Sequence, residues 1–137
     1  MIDIVDHTLK HWRQTAFEYG VSDCLLSVGD YIVNCGGPDA LASFRGTYTK
    51  HSEAMGHIAA NGGPEGLLDR FGLPRINPSE AKRGDVVVIL PGEGETGVGG
   101  ICTGAGIALR SERGVIEVTR RFVTVLFAWK VDQCHSS

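Results

Sequence analysis

The stretch "FEYGVSDCLLSVGDYIVNCGG", residues 17–37, decides the fold, because it carries one helix with both of its ends and a thiol at its start. Tyr19-Gly20-Val21-Ser22-Asp23 reads as a turn. Ser22 or Asp23 can cap the helix that follows, since a short oxygen-bearing side chain accepts hydrogen bonds from the first unpaired N–H groups. The helix is predicted over residues 23–34. Cys35-Gly36-Gly37-Pro38 ends it, because glycine takes the left-handed cap and proline cannot continue a helix. Cys24 then stands in the first turn, where free N–H groups and the helix dipole favour a thiolate. Cysteine is also among the residues most often buried, and a thiol in an apolar core is inert. Position alone therefore leaves two readings, nucleophile or packing residue.

Outward from this segment, helices come first and strands second, the order of an α+β domain. Residues 3–15 place Ile4 or Val5, Leu9 and Trp12 on one helical face. A short helix is expected at residues 39–43, and a third over residues 50–60, closed by Asn61-Gly62-Gly63. Pro64 opens a short fourth helix with Leu67, Leu68 and Phe71 as its apolar face, and Gly72 stops it. Residues 73–84 read as a connecting loop. From Asp85 the pattern changes to β-branched runs: "DVVVIL" (85–90), "GVGGICT" (97–103), "GIALRS" (106–111), "GVIEVT" (114–119) and "VTVLFAWKV" (123–131). The expectation is a single α+β domain over residues 1–137, its helical part, about 1–75, packed on a small, mostly antiparallel sheet of about five strands over 84–131.

The composition narrows the function. With 137 residues, 42% hydrophobic and 21% charged, the chain is large enough for one core. A net charge of -3 argues against nucleic acid or an anionic membrane, which call for a dense basic face. Arg110, Arg113, Arg120 and Arg121 are spread among acidic residues and read as a solvated face. No run approaches the ~20 apolar residues of a membrane span. The N-terminus "MIDIVDHTLKHW" is too polar for a signal peptide, so the expected site of folding is a cytoplasm. There the thiols of Cys24, Cys35, Cys102 and Cys134 are expected to be free. Cys24 and Cys35, about 16 Å apart along one helix, cannot pair.

Other signals for chemistry are weak. "GEGETG", residues 92–97, fits G-x-G-x-x-G, but a strand follows it and Glu93 and Glu95 would repel a phosphate, so it reads as a hairpin loop. His7 and His11 share a helix face but lack a third ligand, so no metal and no cofactor is expected. His51 and His57 lie in the third helix on different faces. His135 lies in the tail.

Four motifs in order resemble the NlpC-type cysteine peptidases, papain-like enzymes that cleave peptidoglycan stem peptides. Tyr19, Gly20, Asp23 and Cys24 match the nucleophile segment, although Leu25-Leu26 replaces its usual Ser-Gly. Arg83-Gly84-Asp85 before Val86 matches the small-Gly-Asp that precedes a strand. "VGGICTG", residues 98–104, overlies the segment that carries the catalytic histidine, with Gly100, Ile101 and Gly104 matching. The short phage-encoded branch found in tail gene clusters is the nearest in pattern, since "FRGTY" (44–48) and "AWKV" (128–131) match its remaining landmarks. The two imidazole positions are substituted, by Val98 and Arg110. Valine exchanges no proton and arginine stays charged, so neither is a base.

What the resemblance implies is an NlpC-type papain-like fold with a degenerate site. The implied function is structural or assembly work in a phage tail tip or hub, with Cys24 as a vestigial nucleophile. Its partners would be other tail proteins, with peptidoglycan a further one. Its location would be the host cytoplasm during synthesis and then the virion. The alternative is an active peptidase or amidase cleaving stem peptides through Cys24. That would need an imidazole from elsewhere, His51 or His57, within reach of the sulfur.

Overall fold

A computed structural model describes residues 3–91 and 96–131. The glycine-rich loop at 92–95, Cys134 and His135 lie outside the described residues. Four α-helices precede the sheet: α1 (Ile4–Gln14), α2 (Cys24–Asn34), α3 (His51–Ala60) and α4 (Gly63–Leu68). Six strands follow: β1 (Arg75–Ile76), β2 (Val86–Leu90), β3 (Val98–Cys102), β4 (Gly106–Ser111), β5 (Gly114–Thr119) and β6 (Thr124–Trp129). They form one sheet in the order β1-β6-β2-β3-β4-β5, and every pairing is antiparallel.

The α+β order and the five expected strands are present. The sixth strand was not foreseen. Residues 73–84, expected to be loop, contain β1 and a short 3-10 helix at Pro78–Glu80. Two residues give no period-two signal, and β1 exists only because Arg75 and Ile76 pair with Trp129 and Ala128. The short helix expected at 39–43 is a 3-10 turn at Ala42–Phe44.

Burial explains the patterns. Val5, Leu9 and Trp12 of α1 join Leu25, Leu26, Val28, Tyr31 and Ile32 of α2 in the main core. Val86 and Val88 of β2 face that core, whereas Val87 and Ile89 enter a second cluster with Ile107 and Ala128. A strand buried on both faces reads as a continuous apolar run, which is why "VVVIL" does not alternate. The hydroxyl of Tyr31 donates to the carbonyl of Gly84 at 2.5 Å, tying α2 to the entry of β2. Asp85 holds the far end of the sheet, its carboxylate accepting from the N–H of Lys82 at 3.0 Å and of Val131 at 3.1 Å.

Two arginines expected on a solvated face are structural instead. Arg110 is 3% exposed, and Arg120 donates to the carbonyls of Ala81 and Pro78. Arg113 and Arg121 are exposed as expected. Among the thiols, Cys24 and Cys102 are free, but Cys35 is disulfide-bonded, against the expectation of free thiols throughout. Among the described residues, no helix is long and apolar enough to cross a membrane.

Candidate functional site around Cys24

Asp23 is the N-cap of α2, and it does more than cap. Its Oδ1 accepts from the N–H groups of Leu25 at 3.1 Å and Leu26 at 2.9 Å. Its Oδ2 accepts from the N–H of Gly20 at 2.8 Å and from the Tyr48 hydroxyl at 2.5 Å. The carboxylate is 1% exposed and takes four donors, the arrangement that makes a buried charge tolerable. The "YGVSDC" and "FRGTY" segments are thus two sides of one clamp, closed further by the N–H of Gly46 on the Gly20 carbonyl at 2.8 Å. Gly20 is required there: its φ is +83°, and a Cβ would stand 2.2 Å from the Tyr48 carbonyl oxygen.

Arg110 holds the other side of the turn. Its guanidinium donates to the carbonyls of Trp12, Thr15 at 2.7 Å and Ser22 at 3.3 Å. Trp12 is in the last turn of α1 and Thr15 is its C-cap, so the cation sits at the negative end of a helix, where carbonyls lack intrahelical partners. Burial lowers its pKa.

Cys24, Val98 and Arg110 all line one cleft, so the structure brings the three sequence-selected residues together. The cleft has two arms that share Cys24, Leu25, His51, Met55, Ile58 and Val98. One arm, of about 260 Å³, adds Phe17, Leu109 and Ile116 with Tyr19 and Glu112. The other, of about 500 Å³, adds Pro64, Thr96, Gly97 and Gly99. Val98, at the start of β3, contributes only a hydrocarbon wall.

The thiol is not a ready thiolate. Burial and then the charge of Asp23 push its pKa up to about 11. A helix N-terminus was expected to lower it. The reversal is local: burial withdraws water from the sulfur and the Asp23 carboxylate sets a negative charge beside it, which together outweigh the lowering by the backbone N–H groups of Cys24 and Leu25.

Of the two histidines named as substitutes, His51 reaches the cleft and His57 does not. His57 packs against the rings of Phe44 and Tyr48, with centroids 5.6 and 5.4 Å away. His51 opens α3, and its Nδ1 lies 3.1 Å from the Tyr19 hydroxyl. That hydroxyl donates to Glu112 Oε1 at 3.2 Å. Tyr19 has one proton, so when Glu112 receives it, His51 Nδ1 must be the donor to Tyr19, and Nε2 is left as the acceptor. Among the described residues, however, no hydrogen bond joins an imidazole to Cys24 Sγ. The sequence marks Tyr19 as part of the turn and of the nucleophile-segment match, not as a partner of His51, and gives no sign of Glu112. A hydrogen bond between residues 93 positions apart leaves no local pattern.

His7 and His11 are exposed on α1 and line a separate cavity of about 270 Å³ with Asp30 and Tyr31. Among the described residues, no group of three or more His, Cys, Asp or Glu side chains is arranged to hold a metal ion.

Neither the curated proteins nor the solved structures contain a match to the chain. One family model matches residues 3–131, described as Domain of unknown function (DUF6950). Its span takes in the clamp, the cleft and the whole sheet, and the chain belongs to the DUF6950 family.

Proposed function

We propose that the protein is a structural or assembly component of a bacteriophage tail, at the tip or hub, built on an NlpC-type papain-like fold whose peptidase chemistry has been given up. The phage setting rests on the sequence resemblance. The loss of chemistry rests on one observation, the engagement of Arg110. Where the resemblance asks for an imidazole-orienting group, this chain has a buried guanidinium donating to three backbone carbonyls. That side chain pins a turn and exchanges no proton. Val98 at the other imidazole position is hydrocarbon, and the thiol between them is held protonated at neutral pH.

Two experiments test this. Purified peptidoglycan incubated with wild type and with Cys24→Ala should release the same background of fragments from both. Particles produced without the protein should carry incomplete or missing tails. Normal tails in its absence would sink the structural reading.

One observation favours a second reading, a working cysteine hydrolase. His51 shares the cleft with Cys24 and is oriented by Tyr19 and Glu112. In that case the thiol proton passes to His51 Nε2, the sulfur attacks a stem-peptide carbonyl, the leaving amine takes the proton, and water hydrolyses the thioester. Fragment release that depends on both Cys24 and His51 would replace the first reading with this one.

A further inference from the structure

The cleft beside Cys24 is open, apolar and unused by the hydrogen bonds that hold the turn. Its two arms meet at Cys24 and share the side chains of Leu25, Met55, Ile58 and Val98. Ile116 at its edge is 49% exposed, a large apolar side chain left open to solvent. The charges around it are unequal. Asp23 and Arg110 line the smaller arm but are buried, and their polar atoms are engaged within the protein. Glu112 is exposed. Its Oε1 accepts from Tyr19, and among the described residues its Oε2 accepts no hydrogen bond. A ligand in this arm therefore meets an apolar floor and a carboxylate at the rim, with no free arginine or lysine among the described lining residues.

From this arrangement we infer that the cleft is a docking groove for an extended peptide segment of a partner protein, one that sets a leucine-like side chain in the apolar arm and an adjacent lysine or arginine against Glu112. The inference rests on the structural reading above and names the chemistry of the partner. Two arms meeting at one point suit an extended chain, whose side chains alternate to opposite sides. The apolar side chain supplies affinity by leaving water. The rim charge supplies selection, because a basic neighbour is attracted to Glu112 and an acidic one repelled. An acidic stem peptide is disfavoured on the same ground.

Fluorescence anisotropy with a labelled Gly-Lys-Leu-Leu-Gly amide measures this. The lysine peptide should bind at least about threefold more tightly than its glutamate counterpart, with the difference shrinking at high salt. Replacing both leucines by serine should weaken binding by about tenfold or more. Glu112→Gln should erase the preference for lysine over glutamate while leaving the dependence on leucine. Cys24 alkylation at alkaline pH should slow in the presence of the lysine peptide, which places the ligand in the cleft.

No binding by either peptide, equal binding of both, or an unchanged preference in Glu112→Gln would overturn the inference. So would alkylation that slows with protein concentration alone, which would make a second copy of this chain the occupant. The outcome is separable from that of the structural reading. Cys24-dependent release of peptidoglycan fragments would end that reading and leave the charge preference to be measured as it stands.

Discussion

The turn before α2 and the cleft beside it lie one residue apart, at Asp23 and Cys24, and are built on opposite terms. At Asp23 every acceptor has a donor: two helix N–H groups, one turn N–H and one tyrosine hydroxyl. At Cys24 a free thiol faces apolar side chains, and no hydrogen bond links it to the imidazole across the cleft. Both residues belong to the same Asp-Cys motif. The lesson is that adjacent residues of one short segment can serve opposite ends. Here the aspartate carries the turn, and the thiol beside it has a pKa raised by burial and then by the charge of that carboxylate.

The contrast is broken most directly at the aspartate. Asp23→Ala removes the cap and leaves the Gly20 N–H and the Tyr48 hydroxyl without their acceptor; the loss, read from urea unfolding, should be about 3–4 kcal/mol. Arg110→Met keeps much of the side-chain volume but leaves three carbonyls unpaired, and should cost about 2–3 kcal/mol by the same measurement. Tyr48→Phe deletes a single donor to Asp23 and should cost about 1–2 kcal/mol. Cys24→Ala, one residue from the most sensitive position, should change stability by less than about 1 kcal/mol. A loss at Cys24 as large as that at Asp23 would erase the distinction.

A smaller, pH-dependent test sits at the far edge of the sheet. Asp69 has its pKa held below the ordinary 3.8, chiefly by the hydrogen bond from Arg75, with the Trp129 indole adding to it. Its folded pKa is depressed, so its contribution is present above the ordinary carboxylate value and is lost as pH falls through the lowered one. Thermal melts of Asp69→Asn between about pH 5 and pH 3 should therefore show a shallower acid-induced fall in Tm than wild type. Identical slopes would mean that this exposed pair contributes nothing measurable.

Much of the fold was legible because its signals are local. "SDCLL" marks a cap and a helix start, "CGGP" an end, and the β-branched runs after Asp85 fall on the five strands with errors of a residue or two. β1 was not legible, since Arg75 and Ile76 become a strand only through Trp129 and Ala128. The site was legible by halves. Cys24, Val98 and Arg110 line one cleft. Arg110 looked like surface, because no sequence pattern distinguishes an arginine facing water from one facing the carbonyls of Trp12, Thr15 and Ser22. The direction of the thiol pKa was misread for a related reason. Burial of the sulfur, which the helix start does not reveal, and the charge of the capping aspartate outweigh the N–H groups that favour the thiolate.

The position of β6 has a consequence for how the molecule comes together. Last of the described strands in sequence, it lies between β1 and β2, where Val86 meets Trp129 and Arg75 meets the same tryptophan from the other side. The hairpins β2–β3, β3–β4 and β4–β5 join strands that are neighbours in sequence. β1 can join only after β6 has closed a loop of about 40 residues back to β2, a slow and entropically costly step. Loop-closure entropy therefore leads to the expectation that the β2–β5 meander forms first and that β6 closes it. During that interval the open edge of β2 is the part of the chain most exposed to pairing with a neighbour.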